Sequence, residues 1–456
     1  MMPRVSLSLL FLFLGTVFGQ VALPVNRSAV SYGAGQAQNA GSTPQTGSTG
    51  QSQSLPGNSA GAQITLDQAI ALALANSPSL KATRTQIQQN QAQEVTANLR
   101  PNPVLSWDTQ FIPIFSPGDF STNTLDNLQQ FDVGVGYLFE RGRKRQNRLK
   151  AAQDQTAVTA SQVADAERTL IFNVAQQFIN ALLANSNLQF AREDLKSFLQ
   201  TVTISEERYR AGDISQGDYL KIKLQLLQFQ TDVSSAQVAR VQALGSLRQL
   251  LGYGSVPRDY DVAGDLNYQP LTVSVDDLQA LASRTRPDLR AAQQGITAAQ
   301  SQISLAKANS KQDLNASMNY SHVAGTSSTS LFFNIPLPLF NRNQGEIART
   351  RFALTQAEFT AKGAEETVLT DVNNAYESAN TNQDVVKLYI SGYLKQAQDS
   401  RDISEYAYRA GAAALLDFLD AERSYRSTQL AYRQALAAYM LSLEQLRQAV
   451  GTRSLP

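Results

Sequence analysis

The chain repeats a long segment of its own sequence. Each copy opens with Ile-Ser-Glu, continues with Tyr-Arg-Ala-Gly and reaches a Leu-Arg-Gln triplet shortly before a glycine. The copies run without an insertion, 199 positions apart, from Ile204 to Gly252 and from Ile403 to Gly451. Chance does not produce a match of this length, so the chain is an internal duplication of a long helical hairpin. We expect two structural repeats, at 63–262 and 263–452, that pack as one body.

Composition excludes several classes of function. The 39 lysines and arginines nearly balance 38 aspartates and glutamates, so no overall field attracts nucleic acid. There is no cysteine, which removes disulfides, thiolate metal sites and cysteine nucleophiles. The single histidine, His322, is predicted in an exposed loop, and a metal site needs three or four convergent ligands. Since no catalytic or phosphate-binding motif is present either, we expect no enzyme, no cofactor and no bound metal.

The N-terminus has the pattern of an export signal. Arg4 precedes the apolar run 5–18, which is shorter than the roughly 20 residues that span a bilayer. We expect residues 1–19 to be a signal peptide; an N-terminal anchor helix is the alternative. Residues 20–62 are rich in Gly, Ser and Gln without apolar periodicity, which predicts a flexible tail.

Four segments alternate apolar and polar residues with a period of two. Each is about nine residues long, enough to cross a bilayer at a tilt, and they lie at about 103–111, 131–139, 313–321 and 330–338. The face expected to contact lipid carries Trp107, Phe111, Val133, Val135, Tyr137, Met318, Tyr320, Phe333 and Ile335. Half-buried hairpins of a soluble protein would alternate in the same way. Four strands cannot close a barrel, so membrane strands would require several chains to pool them.

Two very long segments contain no proline and almost no glycine. Residues 143–210 and 345–409 are predicted as helices of some 65 residues, which extend roughly 100 Å. Gly212 and Gly411 stand where left-handed caps end such helices. The chain then turns back, which predicts helical hairpins at about 143–252 and 345–451.

Four short motifs resemble those of one known family. They are Arg100-Pro101-Asn102-Pro103, Gly142-Arg143-Lys144-Arg145, Arg286-Pro287-Asp288-Leu289 and the run from Pro336 to Gly345. With the duplicated hairpins, they make the chain resemble a TolC-type outer-membrane efflux factor over about residues 63–452, most like the heavy-metal (cobalt–zinc–cadmium) branch. The resemblance implies a mainly α fold with a β-barrel part. In it, a homotrimer pools four strands per chain into one barrel of about 12 strands, and antiparallel coiled-coil hairpins continue the barrel as a periplasmic tunnel.

The resemblance also implies partners. A periplasmic adaptor, or membrane fusion protein, would meet the helical turns and link them to an inner-membrane pump, which supplies the energy for a passive conduit through the outer membrane. The cargo could then include metal cations. Two alternatives stay open: the outer-membrane component of type I protein secretion and, less favoured, a periplasmic coiled-coil adaptor or scaffold.

The first candidate site is an acidic pair. Asp417 and Asp420 are three residues apart and so share one helix face. From spacing alone, two solvated acids near a helix N-terminus are the simpler interpretation. The resemblance implies instead a pore constriction that selects cations, with Asp218 at the same level and Tyr408 helping to hold a closed state. Family members have an arginine where this chain has Ala413. The resemblance therefore does not indicate which contacts hold the closed state.

The repeated turn is the second candidate site. Its residues end helices, and the resemblance implies that an adaptor contacts them: Tyr209, Arg210, Ala211, Gly212, Arg409, Ala410 and Gly411. A basic cluster directly follows the second predicted strand and comprises Arg141, Arg143, Lys144, Arg145 and Arg148. A solvated helix start is the simpler interpretation of this cluster. After a membrane strand, it would lie at the periplasmic surface, where anionic headgroups attract it.

Overall fold

The computed structural model describes residues 62–110, 115, 118, 130–323 and 325–454. The predicted signal peptide, nearly all of the predicted tail at 20–62 and the predicted lipid-facing residue Phe111 lie outside the described residues. For these parts of the chain, the sequence predictions stand as predictions.

Helices make up most of the described chain. The strands are β1 (Gln63–Ile64), β2 (Val104–Gln110), β3 (Gln130–Phe139), β4 (Asp261–Val262), β5 (Leu314–Val323) and β6 (Thr326–Asn334). The helices of the first half are α1 (Leu66–Asn76), α2 (Pro78–Asn98), α3 (Lys144–Ala211) and α4 (Gln216–Leu251). Those of the second half are α5 (Val275–Thr285), α6 (Pro287–Asn309), α7 (Gln344–Leu388), α8 (Leu394–Arg409) and α9 (Leu415–Val450). No described helix combines the length and apolar composition that crossing a membrane would take.

The long strands form one antiparallel sheet in the order β2-β3-β5-β6. Its register aligns side chains in rows that cross all four strands. One row is Leu105, Val135, Met318 and Leu331, and the next is Ser106, Gly134, Asn319 and Ser330. Because neighbouring rows point to opposite faces, one face of the sheet is apolar, and the other carries mostly small or polar residues, with exceptions that include Val104 and Phe332. Contact of the apolar face with lipid stays a prediction.

Both edges of this sheet are open within the part of the chain that the structure describes. Strands β2 and β6 each pair along one side alone. Large apolar side chains on these edge strands are exposed: Trp107 retains 81% of its accessible surface and Phe333 retains 67%. Water can hydrogen-bond the free backbone groups of an edge strand, but lipid cannot, so a membrane location of this sheet would require strands from other chains at both edges.

The fourth strand lies about four residues earlier than the alternation predicted. β5 continues through Val323, which pairs with Thr326 across a tight turn at Gly325, where φ is 75°. His322 therefore lies in a strand, not in a loop, with its Nδ1 3.1 Å from Ser327 Oγ. At the other end β6 stops at Asn334, so Ile335 follows the strand. Pro336, which lacks a backbone N–H, cannot extend the ladder that the apolar pattern suggested.

Arginine on the apolar face is expected to be far more damaging than arginine on the polar face. Val135→Arg, in mid-strand, should cost about 2–4 kcal/mol of barrel stability, whereas Ser317→Arg should cost less. Gly134 is unsuitable as the polar-face control, because a Cβ there would lie 2.1 Å from Asn319 Oδ1. Denaturant titration in phospholipid vesicles measures both costs, and equal losses would contradict the assignment of the faces.

Glycine ends the two long helical segments, and one of these segments is interrupted. Gly212, with φ 87°, caps α3, and Gly411, with φ 74°, follows α8; only glycine adopts this conformation without strain. The first long helix is continuous over 68 residues. The second was predicted to be continuous over 345–409, but a π-turn at Tyr389–Tyr393 separates α7 from α8. A π-turn accommodates one extra residue in a helical turn without needing a proline, so the sequence did not reveal it.

The two halves build equivalent cores. Leu247 and Leu251 of α4 are buried in a cluster with residues of α1 and α3. Leu446 and Val450 of α9, each 199 positions later, are buried in a cluster with residues of α5 and α7. A further cluster near the helical turns combines both halves and contains Phe198, Ile222, Phe229, Tyr408, Leu415 and Phe418. The internal duplication is therefore visible in the packing.

Candidate gate at the helical turns

The two turns begin their return helices differently, although their sequences are related. At the start of α4, Ser215 Oγ accepts a hydrogen bond from the Asp218 backbone N–H and lies 2.9 Å from Asp218 Oδ2. Lys221 Nζ is 3.3 Å from Asp218 Oδ1. The hydrogen bond from Ser215, followed by that from Lys221, lowers the pKa of Asp218. The start of α4 is thus capped by Ser215, and the charge of Asp218 is paired with that of Lys221.

At the start of α9, the equivalent positions carry different chemistry. Ala414 replaces the capping serine and leaves the helix without a side-chain cap. Asp417 corresponds to Asp218, but Asp420 replaces the lysine, so two acids occupy the positions of an acid–base pair. Both acids are exposed, and Asp420 has a loose ion pair at 3.7 Å with the exposed Arg423. The missing serine cap and the second acid therefore distinguish the second turn from the first.

Tyr408 joins the two halves at the turns. Its side chain is buried, its ring stacks on Phe418 at 5.5 Å between centroids, and the Arg208 guanidinium lies 5.3 Å from its ring centre. Arg208 also donates a hydrogen bond of 2.8 Å to the Tyr408 carbonyl oxygen. Ser205 Oγ lies 3.5 Å from the Tyr408 hydroxyl. Arg208 of α3 therefore links the second hairpin to the first. The resemblance had implied an arginine for such a contact at the position of Ala413.

The remaining turn residues form an exposed surface. Tyr209, the counterpart of Tyr408, stacks on Tyr219 of its own hairpin at 4.9 Å and stays partly exposed. Arg210 forms an ion pair of 2.5 Å with Glu206, and Arg409 pairs with Glu405 in the same way. The other predicted contact residues are also exposed: Ala211, Gly212, Ala410 and Gly411. Identical turn sequences thus give one buried and one exposed tyrosine.

A buried charge network lies behind the turns and joins helices of both halves. Arg426 of α9 contacts Asp194 of α3 at 2.6 Å and also pairs with Asp232 of α4. Arg401 of α8 lies 3.0 Å from Glu422 of α9. The Asp194 and Glu422 side chains are only 2% and 4% exposed. Sequence reasoning missed this network, because its members come from four helices and share no motif.

Burial and the neighbouring carboxylate of Glu422 raise the pKa of Asp194 to about 7. Arg426 acts in the opposite direction, but burial and Glu422 outweigh it. The other charged groups around the pair are Asp232 on α4, Arg401 on α8 and Arg433 on α9. Two adjacent buried carboxyl groups resist carrying two charges, so near neutral pH one proton is retained between α3 and α9.

Stability is expected to fall as pH rises through neutrality. The folded chain binds the Asp194 proton more tightly than the unfolded chain does, so between about pH 4 and 7 folding takes up a proton. Across about pH 6 to 8, this group alone should lower the free energy of unfolding by about 1 kcal/mol per chain. Asp194→Asn keeps the shape and removes the titration, so its thermal midpoint should depend less on pH. The same dependence in both proteins would contradict this assignment.

The described residues contain no preformed metal site. Among residues 62–110, 130–323 and 325–454, no group of three or more His, Cys, Asp or Glu side chains is arranged to hold a metal ion. The exposed acids at the second turn can attract cations without chelating them, which suits a passage that must release what enters it.

Comparison with known proteins identifies the class of protein. The model of the outer membrane efflux protein family matches residues 69–253 and 278–452. The cation efflux system protein CusC of Escherichia coli (strain K12) is 25% identical over 396 residues, covering 79% of this chain and 80% of CusC. The cobalt-zinc-cadmium resistance protein CzcC of Cupriavidus metallidurans is 24% identical over 382 residues, covering 81% and 85% of the respective chains. A crystal structure of CusC aligns with a TM-score of 0.70 at 21% identity, covering 88% of this chain and 96% of that chain.

The chain belongs to the outer membrane efflux protein family. Its fold is that of the family's solved channels, and its location is the outer membrane with the helical part in the periplasm. The resemblance inferred from the sequence motifs is confirmed, including the greater similarity to the metal-efflux branch of the family.

Proposed function

We propose that three copies of the chain form one passive channel that conducts cations out of the periplasm. The observation that carries this proposal is the four-stranded sheet with two open edges and one apolar face. Pooling three such sheets pairs every edge and turns the apolar faces toward lipid. The polar rows then line the interior, and the long helices extend the passage into the periplasm.

The acidic pair at the second turn is the proposed constriction. Asp417 and Asp420 from each copy would surround the periplasmic entrance, where a ring of carboxylates favours cations over anions. Tyr408 and Arg208 would hold the entrance narrow, because they fix the second hairpin against the first. Opening then requires these contacts to separate. Asp218, paired with Lys221, would contribute little net charge at the same level.

The proposed partners are a periplasmic adaptor and an inner-membrane pump. The exposed turn residues, which recur in both halves, offer an adaptor two similar docking places per chain. Metal cations are the first cargo to test, since CusC is named a cation efflux protein and CzcC a cobalt-zinc-cadmium resistance protein. The chain itself would be a conduit without a cofactor, and the pump would select the cargo.

Recordings of the purified protein in planar lipid bilayers test the channel proposal. We expect discrete current steps without nucleotide or a proton gradient, and a reversal potential of the cation-selective sign in a salt gradient. Protein that inserts into the bilayer without producing current steps would contradict the proposal.

A further inference from the structure

A cationic cavity lies where the sheet meets the long helices. It has a volume of about 280 Å³ and is formed by the end of β3, the start of α3 and the segment after α2. Its basic side chains are Arg100, Lys144 and Arg145, and its aromatic side chains are Tyr137 and Phe139. Two members of the basic cluster found in the sequence, Lys144 and Arg145, therefore line a formed cavity.

The acids near this cavity are already neutralised. Glu140, which lines it, binds Arg148 at 2.7 Å, and Asp313 binds Lys144 Nζ at the same distance. Across the described residues, Arg100 and Arg145 form no ion pair with an acidic side chain. Among the described residues, these two positive charges have no counter-charge, so the cavity favours an anion.

The backbone adds to this preference. Arg143, with φ 57°, precedes α3 and provides no side-chain cap, and the first turn of α3 contains no acid. The first N–H groups of the helix therefore lack intrahelical acceptors beside the cationic side chains. The second half differs, because Glu346 occupies the first turn of α7 and pairs with Arg349 at 2.6 Å. The equivalent helix start in the second half therefore carries an acid that the first half lacks.

The aromatic side chains favour a position of this cavity at a lipid surface. Tyr137 and Phe139 belong to the apolar rows of the sheet and contact each other edge to face at 4.8 Å between centroids. Phe139 is half exposed, directly before the basic cluster. Aromatic residues followed by arginines are typical of the boundary between acyl chains and charged headgroups.

We propose that this cavity binds the phosphate of an anionic phospholipid in the periplasmic leaflet, one lipid per chain. Arg100 and Arg145 would hold the phosphate oxygens, and Tyr137 and Phe139 would pack against the glycerol and the first part of the acyl chains. Basic pockets at membrane surfaces bind acidic headgroups in this way. The proposal depends on the outer-membrane location and is independent of the proposed gate.

Native mass spectrometry of the purified oligomer tests this site. Arg100→Gln with Arg145→Gln removes both unpaired charges. Lys307→Gln with Arg342→Gln is the matched control: both residues are exposed at the same junction, where Asn343 Nδ2 donates a hydrogen bond to the Ala306 carbonyl oxygen. We expect the wild type and the control to retain one phosphatidylglycerol per chain. The cavity variant should bind it at least about tenfold more weakly, no better than phosphatidylcholine.

Three results would overturn the proposal. They are equal retention of phosphatidylglycerol by the cavity variant and the wild type, equal loss in the control variant, and displacement of the lipid by inorganic phosphate at comparable concentration. The last would identify a site for a free anion. Current steps in planar bilayers, recorded on the same preparations, report the channel separately, so failure of the lipid site and failure of the proposed function are distinguishable.

Discussion

Replacing Arg426 with methionine is expected to destabilise the helical body by about 3–5 kcal/mol per chain at about pH 8. Methionine fills most of the volume but leaves Asp194 and Asp232 without their shared cation. It also removes the guanidinium that lies 4.1 Å from the centre of the Phe229 ring. Because Asp194 accepts a proton as pH falls, the loss should be smaller at about pH 6. The midpoint of thermal unfolding, followed by far-UV circular dichroism, measures both effects.

Arg423 provides a matched control for this variant. It precedes Arg426 by one helical turn, but its side chain is 77% exposed and its ion pair with Asp420 is loose. Arg423→Met should therefore change stability by no more than about 0.5 kcal/mol. Adding Asp194→Asn to Arg426→Met should recover part of the loss. If Arg423→Met and Arg426→Met lower the midpoint equally, the buried network does not hold the helices together.

The double variant Asp417→Asn with Asp420→Asn is expected to abolish most of the cation selectivity of the channel. It keeps the size of the side chains and removes every charge of the acidic pair. In a tenfold salt gradient, the reversal potential should move toward zero from a cation-selective value, which cannot exceed about 59 mV. Block by divalent cations from the periplasmic side should weaken in parallel. Planar bilayer recordings measure both quantities.

Asp218→Asn is the control for the acidic pair. Its carboxylate is charged but paired with Lys221, so the variant should change selectivity much less. Unchanged selectivity and block in the double variant would show that Asp417 and Asp420 are solvated helix-start residues, the simpler interpretation of their spacing.

The periodicity of apolar residues predicted the positions of helices and strands wherever neighbouring residues in the sequence determine them. Three of the four long strands match their predicted positions closely, because apolar alternation marks all three and Pro103 also marks the start of β2. The fourth was misplaced, because Leu337 continues the alternation where Pro336 has already ended the strand. Gly212 and Gly411 marked both helical turns, whereas Gly392 in the π-turn could not be distinguished by sequence from Gly363, which stays within a regular helix.

The candidate site could be predicted only in part. The roles of Asp417, Asp420 and Tyr408 were inferred from the family resemblance and stay predictions, and the sequence could not distinguish the environments of Tyr209 and Tyr408. Both tyrosines stand in the same short sequence, and their burial depends on side chains that other helices supply. The Asp194 network was invisible for the same reason, since it exists only once four helices are packed.

Disulfide formation between the two open sheet edges tests the central claim most directly. The chain has no cysteine, so every disulfide is an introduced one. Ser106→Cys on β2 can be combined in turn with Ser328→Cys, Ser330→Cys or Phe332→Cys on β6, to cover the possible registers between copies. Val135→Cys with Met318→Cys, which face each other within one chain, is the control that should link no second copy.

We expect at least one edge pair to give covalent species of two and three chains on a denaturing gel, and none larger, because three sheets close a ring. The control should migrate as a single chain. An absence of species larger than one chain with every edge pair, or a ladder that continues beyond three, would contradict the closed three-copy channel.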